Sequence, residues 1–344
     1  LSFLLFAAAI QVDSQKLKKE RAAIITFSTI GVLISTLVVG FLLYWIISLF
    51  GLSVNLLYCL IFGALISPTD PVAVIGILKK ARIGTSLETK ISGESLFNDG
   101  AAVVLFITFY EIAQIGIANI SFWNILWLFA REAGGGLLLG MGLGYLGYRV
   151  IKSIDNYVVE VMTTLAIVMG GYLLAESLKV SGPLAMVIAG LITGNISMDA
   201  VASDITRDYI GKFWELVDAL MNSVLFLLIG LEMLIIPFNM TLLFLGCLGI
   251  LVVLFARYIS VRIPILFSGS KKPFQKSTIP ILVWGALRGG ISVALALSVP
   301  KYMYGEMFVT ITYVIVLFSI IAQGLTIGKF AKNLTEKDDI ISTL

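Results

Sequence analysis

Residues 67–74 read Ser67-Pro68-Thr69-Asp70-Pro71-Val72-Ala73-Val74 (SPTDPVAV), a carboxylate between two prolines inside an otherwise apolar run. Prolines three apart each remove a backbone donor and crowd the preceding turn, so they predict a break in the helix. The surrounding run, 54–78, is long enough to cross a bilayer core of about 30 Å. At that depth unwound backbone persists only where protein or a water-filled cavity satisfies it. A broken helix carrying an acid within the membrane is how secondary transporters hold an ion, through half-helix ends and freed carbonyls.

The rest of the chain has the same character. Of its 344 residues 59% are hydrophobic and only 13% charged, about half the charged share of a soluble domain. One partial and ten complete spans are predicted. The partial one is 1–12, and the complete ones are about 22–49, 54–78, 91–115, 131–150, 157–178, 181–195, 213–236, 240–267, 277–299 and 306–330. Of the connections, only 196–212 resembles a separate surface segment. The opening run Leu1–Val12 is too short to span and lacks the charged start and small-residue cleavage site of a signal peptide. It is expected to be the end of a helix preceded by further segments.

Basic residues test these spans, because cytoplasmic loops carry an excess of Lys and Arg. One side holds nineteen, among them Lys16, Lys18, Lys19, Arg21, Lys79, Lys80, Arg82, Lys271, Lys272 and Lys276; the other holds Lys179, Lys301 and Arg131. This places the C-terminus in the cytoplasm. The small net charge of +3 gives no reason to expect a nucleic-acid partner. There is no histidine, and Cys59 and Cys247 have no metal or redox spacing. Proton handling therefore falls to carboxylates, and no cofactor is expected.

Arg257 and Arg288 fall inside apolar spans, where a cation costs roughly 2.5 kcal/mol or more without a partner or water. Three acids lie in two neighbouring spans: Asp70, and Glu94 and Asp99 in GESLFNDG (93–100). Glu94 and Asn98, four apart, share one helical face, and Asp99 lies on its edge. Ser95 and Thr69 add hydroxyls. This is the hard-oxygen set that a small monovalent cation prefers, and a proton can occupy the same carboxylate in alternation. Glu160, Glu176, Glu232 and Glu306 read as interfacial, Glu111 is ambiguous, and Glu215 and Asp218 are weak candidates for an access funnel.

The later span carries Trp284-Gly285-Ala286-Leu287-Arg288-Gly289-Gly290, whose glycines weaken a helix at mid-depth. Two trios follow, 22–115 and 240–330, each with a weakened middle member and each entering from the opposite face. That polarity is what an inverted repeat requires. The glycine-rich stretch 134–148 lacks a phosphate loop's Lys-Ser/Thr ending and predicts close helix packing instead.

With SPTDPVAV and GESLFNDG, the stretches AESLKVSGPLAMVIAGLITG (175–194), FLLIGLEM (226–233) and GALRGGISVALALS (285–298) resemble the prokaryotic NhaP-type branch of the cation:proton antiporter-1 family. The resemblance runs over nearly the whole chain. It implies an all-α membrane protein with an inverted-repeat antiporter fold and two broken, crossing helices. A core domain is expected from 22–120 and 240–333. A dimerisation scaffold is expected from 1–21 and 121–239, with a cytoplasmic tail at 334–344, in a homodimer of the bacterial or archaeal inner membrane.

Carried over, Asp99 would bind the cation and the proton. Asn98, Glu94, Ser95 and Thr69 would complete the ion shell, and Asp70, Arg257 and Arg288 would neutralise the unwound region. Which acid pairs with which arginine stays open. The Asn98-Asp99 pair implies electroneutral exchange of Na+ or Li+ for H+. A K+/H+ antiporter or K+ efflux system of the same fold is the alternative, because selectivity rests on cavity size. A cation channel is a remoter reading. No nucleophile-base pair or metal set suggests an enzyme.

Overall fold

The computed structural model describes residues 1–70, 74–75, 85–116, 120–154, 156–197, 204–232, 239–267 and 277–342. Pro71, Asp199 and the loop residues Lys79, Lys80, Arg82, Lys271, Lys272 and Lys276 lie outside them, as do 71–73 and 76–78 of the 54–78 span. No strand occurs among the described residues.

Along the chain run α1 (Ser2–Ile10), α2 (Ser14–Thr26), α3 (Val32–Leu49), α4 (Leu56–Ile66) and α5 (Thr85–Ile115). Next come α6 (Phe122–Ser153), α7 (Tyr157–Leu178), α8 (Gly182–Ile192) and α9 (Asp204–Glu232). The last are α10 (Met240–Phe267), α11 (Thr278–Trp284), α12 (Gly290–Leu297), α13 (Gly305–Phe318) and α14 (Gly324–Ser342). π-helical turns at Phe27–Gly31 and Ser319–Gln323 join α2 to α3 and α13 to α14.

Helix starts follow local chemistry. The side chains of Asn55, Ser121, Asn156 and Ser181 accept hydrogen bonds from the first free N–H groups of α4, α6, α7 and α8, which is what an N-cap residue supplies. Among the described residues, six helices are long and apolar enough to cross a membrane: Ser14–Leu49, Leu87–Ile115, Tyr157–Leu178, Arg207–Glu232, Met240–Leu266 and Gly305–Leu334. The 181–195 span gives a shorter apolar helix, Gly182–Asn195, and 131–150 lies within the 32-residue α6. The two spans expected to break do so. The first stops being helical at Ile66, and the second is interrupted between Trp284 and Gly290.

The chain divides into two compact units, Leu1–Lys19 with Val103–Leu228, and Glu20–Ala102 with Ile229–Leu344. In the first, Phe6, Leu143, Met186 and Trp214 form the core, and the Trp214 indole donates to Thr164 Oγ1 at 3.0 Å. The glycine stretch of α6 packs here, against α8. A Cβ on Gly140 would lie 2.5 Å from the Ala185 carbonyl, and one on Gly136 2.8 Å from that of Ser181. Only glycine permits this approach of one backbone to another.

In the second unit α3 packs on α4, with Gly63 against the Thr36 carbonyl, and α10 packs on α3 and α13. The two breaks meet: the Asp70 N–H donates to the Leu287 carbonyl at 2.8 Å. Unwound backbone from one broken helix thereby satisfies unwound backbone from the other, as membrane burial demands.

Candidate functional site

The site is built where these breaks cross. Arg288 Nη1 donates to the carbonyls of Ser67 and Pro68, the latter at 2.7 Å. These carbonyls lie just past the last residue of α4, so a guanidinium stands at a C-terminal helix end, where the dipole favours a cation. Asp70 stands at the opposite kind of end. A Cβ on Gly289, the residue before α12, would lie 2.5 Å from Asp70 Oδ2, which puts the carboxylate against an N-terminus, where a negative charge is favoured. The charges expected to neutralise the unwound region thus address helix ends. Ser67 is fixed further by hydrogen bonds from its hydroxyl to the Gly63 carbonyl at 2.7 Å and to Ser35 Oγ at 3.0 Å.

The second arginine settles the pairing left open by sequence. Arg257 Nη1 donates to Glu94 Oε1, Nη2 donates to Oε2 at 3.0 Å, and Nε donates to the Leu282 carbonyl at 3.2 Å. Glu94 is 2% exposed and Arg257 7%. Glu94 was expected among the ion ligands, but both its carboxylate oxygens face a guanidinium fork, a geometry that leaves little room for a metal ion. The pairing places Glu94 with Arg257, one turn from the remaining oxygens.

One turn along α5 lies the oxygen set. Asn98 Nδ2 donates to Thr69 Oγ1 at 2.8 Å, and Thr69 Oγ1 is 3.1 Å from Ser95 Oγ. The structure therefore joins Thr69, Ser95 and Asn98 directly, across the first break. Asp99 follows Asn98 and shares the helical face of Ser95, four residues earlier. Asn98, Asp99, Ser95 and Thr69 are all buried. Asn98 Oδ1 and Asp99 Oδ1 have no hydrogen-bond partner among the described residues. Buried oxygens without donors are costly, and two of them on adjacent residues, beside two hydroxyls, suit a cation that needs oxygen ligands.

Several residues were missed or misjudged in the sequence. The π-helical turn of the last span brings Ser319 Oγ to the Arg288 N–H at 2.8 Å and Gln323 Nε2 to the Trp284 carbonyl at 3.0 Å. Two polar residues four apart in an apolar span were the available signal. Glu111, left ambiguous, accepts from Arg131 at 3.1 Å, and Arg131 also reaches the buried Glu132 at 3.2 Å. Glu160, in the first turn of α7, is 2% exposed.

A family model described as "Sodium/hydrogen exchanger, transmembrane" matches residues 1–333. The chain is 48% identical to the Na(+)/H(+) antiporter NhaP of Pseudomonas aeruginosa, over 97% of this chain and 80% of that one. It is 33% identical to the Na(+)/H(+) antiporter NhaH of Halobacillus dabanensis, over 97% of this chain and 81% of that one. Among solved structures, the sodium proton antiporter MjNhaP1 from Methanocaldococcus jannaschii superposes with a TM-score of 0.81 at 22% identity, covering 97% of this chain and 83% of that chain. That last likeness concerns the fold.

Proposed function

The chain belongs to the sodium/hydrogen exchanger family, and from that premise we propose that it exchanges Na+ for H+ across the membrane at Asp99, one for one. The observation that carries this reading is the pair of buried oxygens on Asn98 and Asp99, without a hydrogen-bond partner among the described residues, beside Thr69 and Ser95. A sodium ion and a proton compete for the Asp99 carboxylate, and that competition couples the two fluxes. Thr69 and Ser95 offer hydroxyl oxygens, and Asn98 offers its amide oxygen while its NH2 holds Thr69.

Charge balance favours an electroneutral cycle. Around the two breaks stand three carboxylates, on Asp70, Glu94 and Asp99, and two guanidinium groups, on Arg257 and Arg288. With Asp99 ionised the set carries one net negative charge, and either one proton or one sodium ion cancels it. Each crossing of the membrane therefore moves a neutral set, which a low-dielectric interior favours. Glu94 enters as the partner of Arg257, and Asp70 and Arg288 as the charges at the helix ends.

We infer an inner-membrane location with the C-terminus in the cytoplasm from the asymmetry of basic residues, which runs through the whole chain. A homodimer held through the first unit is the expected assembly. Apolar side chains left exposed on α6, among them Leu138, Met141, Tyr145 and Leu146, offer the surface.

The test uses purified protein in liposomes with an acid interior. Sodium, lithium or potassium is added outside and internal pH is followed, with and without a potential clamp. Sodium-driven alkalinisation that ignores the clamp and disappears in Asp99→Asn is the expected result. Exchange retained in Asp99→Asn removes the mechanism, and a response to potassium alone changes the substrate.

A further inference from the structure

We propose that Ser319 and Gln323, on the π-helical turn between α13 and α14, are positioning residues that set the sodium affinity of the Asp99 site. Neither touches that site. The inference rests on the reading of Asp99 given above.

Interrupting the second broken helix frees backbone groups on both sides of the gap. The Trp284 carbonyl at the end of α11 and the Arg288 N–H within the gap are two of them. Buried without partners, such groups are destabilising. The neighbouring helix answers both: Gln323 Nε2 donates to the Trp284 carbonyl at 3.0 Å, and Ser319 Oγ accepts from the Arg288 N–H at 2.8 Å. Both side chains are buried, at 3% and 1% exposure. A π-helical turn is wider than an α-turn and poorly favoured, and such turns persist mostly where function uses them. This one brings two side chains four residues apart onto the same gap.

From Arg288 the contacts lead to the ion site in three steps. The Arg288 backbone is held by Ser319. Its guanidinium holds the carbonyls of Ser67 and Pro68. The next residue, Thr69, contributes the hydroxyl that meets Asn98 and Ser95. Gln323 also lines the small cavity onto which Arg257 and Arg288 both open, so it borders both arginines of the unwound region. Displacing the Arg288 backbone displaces Thr69. The sodium shell needs Thr69 in place, whereas a proton needs only the carboxylate of Asp99. Loss of Ser319 or Gln323 therefore weakens sodium binding more than proton binding.

The experiment measures sodium-driven exchange in liposomes over a range of sodium concentrations and pH for Ser319→Ala, Ser319→Thr, Gln323→Leu and Asp99→Asn. Ser319→Ala and Gln323→Leu should raise the apparent KM for sodium about tenfold, the scale of one lost hydrogen bond, with the maximal rate at saturating sodium nearly unchanged. Because protons then compete against a weaker ligand, the acid limb of the pH profile should move up by about one unit at fixed sodium. Ser319→Thr keeps the hydroxyl and should stay near the unmodified protein. A reduced maximal rate with unchanged KM and pH limb, or a Ser319→Thr that behaves like Ser319→Ala, overturns the proposal. Should Ser319→Ala fail to fold, Gln323→Leu decides on the same two readouts. Loss of exchange in Asp99→Asn together with an unmoved KM in both positioning variants sinks this inference alone. Exchange retained in Asp99→Asn sinks the underlying reading with it.

Discussion

Arg257 grips Glu94 through both terminal guanidinium nitrogens, Nη1 and Nη2, joining α10 to α5 across 163 residues of sequence. The pair is buried on both sides, so neither water nor salt can replace a missing partner. Removing one partner strands a charge, which costs about 3–5 kcal/mol. Arg257→Ala and Glu94→Ala should each lower the thermal stability of the solubilised protein by that order. Replacing both with apolar residues of similar volume should cost less than the two single changes added. Additive losses in a double-mutant cycle would show that the two side chains are not coupled.

Competition at a single carboxylate makes the sodium KM depend on pH in a defined direction. Protons occupy Asp99 as pH falls, so the apparent KM should rise on the acid side, approaching about tenfold per pH unit by mass action. The maximal rate at saturating sodium should stay level over the same range. Separate sites for the two ions would instead leave KM flat, which initial rates at four or five pH values distinguish.

Gly289 faces Asp70 so closely that a methyl group there meets Oδ2 at 2.5 Å and Cβ at 2.8 Å. Overpacking of this kind costs about 1–3 kcal/mol. Gly289→Ala should therefore push Asp70 away from the start of α12 and impair exchange more than it impairs folding. Normal transport by this variant, measured in the same liposomes, would mean that the contact between the breaks is looser than described.

The glycine seam of α6 offers a matched pair. A Cβ on Gly140 would meet the Ala185 carbonyl at 2.5 Å, while one on Gly142 would meet nothing within 4 Å. Gly140→Ala should destabilise the first unit by about 1–3 kcal/mol. Gly142→Ala should be neutral or slightly stabilising, because alanine suits a helix interior better by about 1 kcal/mol. Equal melting temperatures for the two variants would argue that α6 and α8 are not in contact.

Much of this was legible beforehand, and for local reasons. Pro68 breaks a helix through its own ring wherever the chain folds, and glycines around Arg288 weaken one by their own backbone freedom. Spacing alone put Glu94 and Asn98 on one helical face. The family motifs marked Asp99. What stayed hidden depends on distant segments. That Arg257, and not Arg288, lies on both oxygens of Glu94 could not be read from spacing. The burial of Glu160 was equally hidden, because sequence reports depth along a helix and says little about which side is covered. Ser319 and Gln323 sit in a span whose hydropathy gave no sign of the broken helix beside it.

The sequence by itself determined that the chain is membrane-spanning, where two of its helices must break, and which residues are candidates for the oxygen set. These follow from side-chain chemistry and periods of a few residues. The tertiary structure alone decided which arginine answers which acid, which carbonyls hold Arg288, and that a π-helical turn steadies the second break. Those are contacts between groups some 30 to more than 200 residues apart. They form because a buried polar group in a low-dielectric interior must find a partner wherever the packed helices bring one within reach.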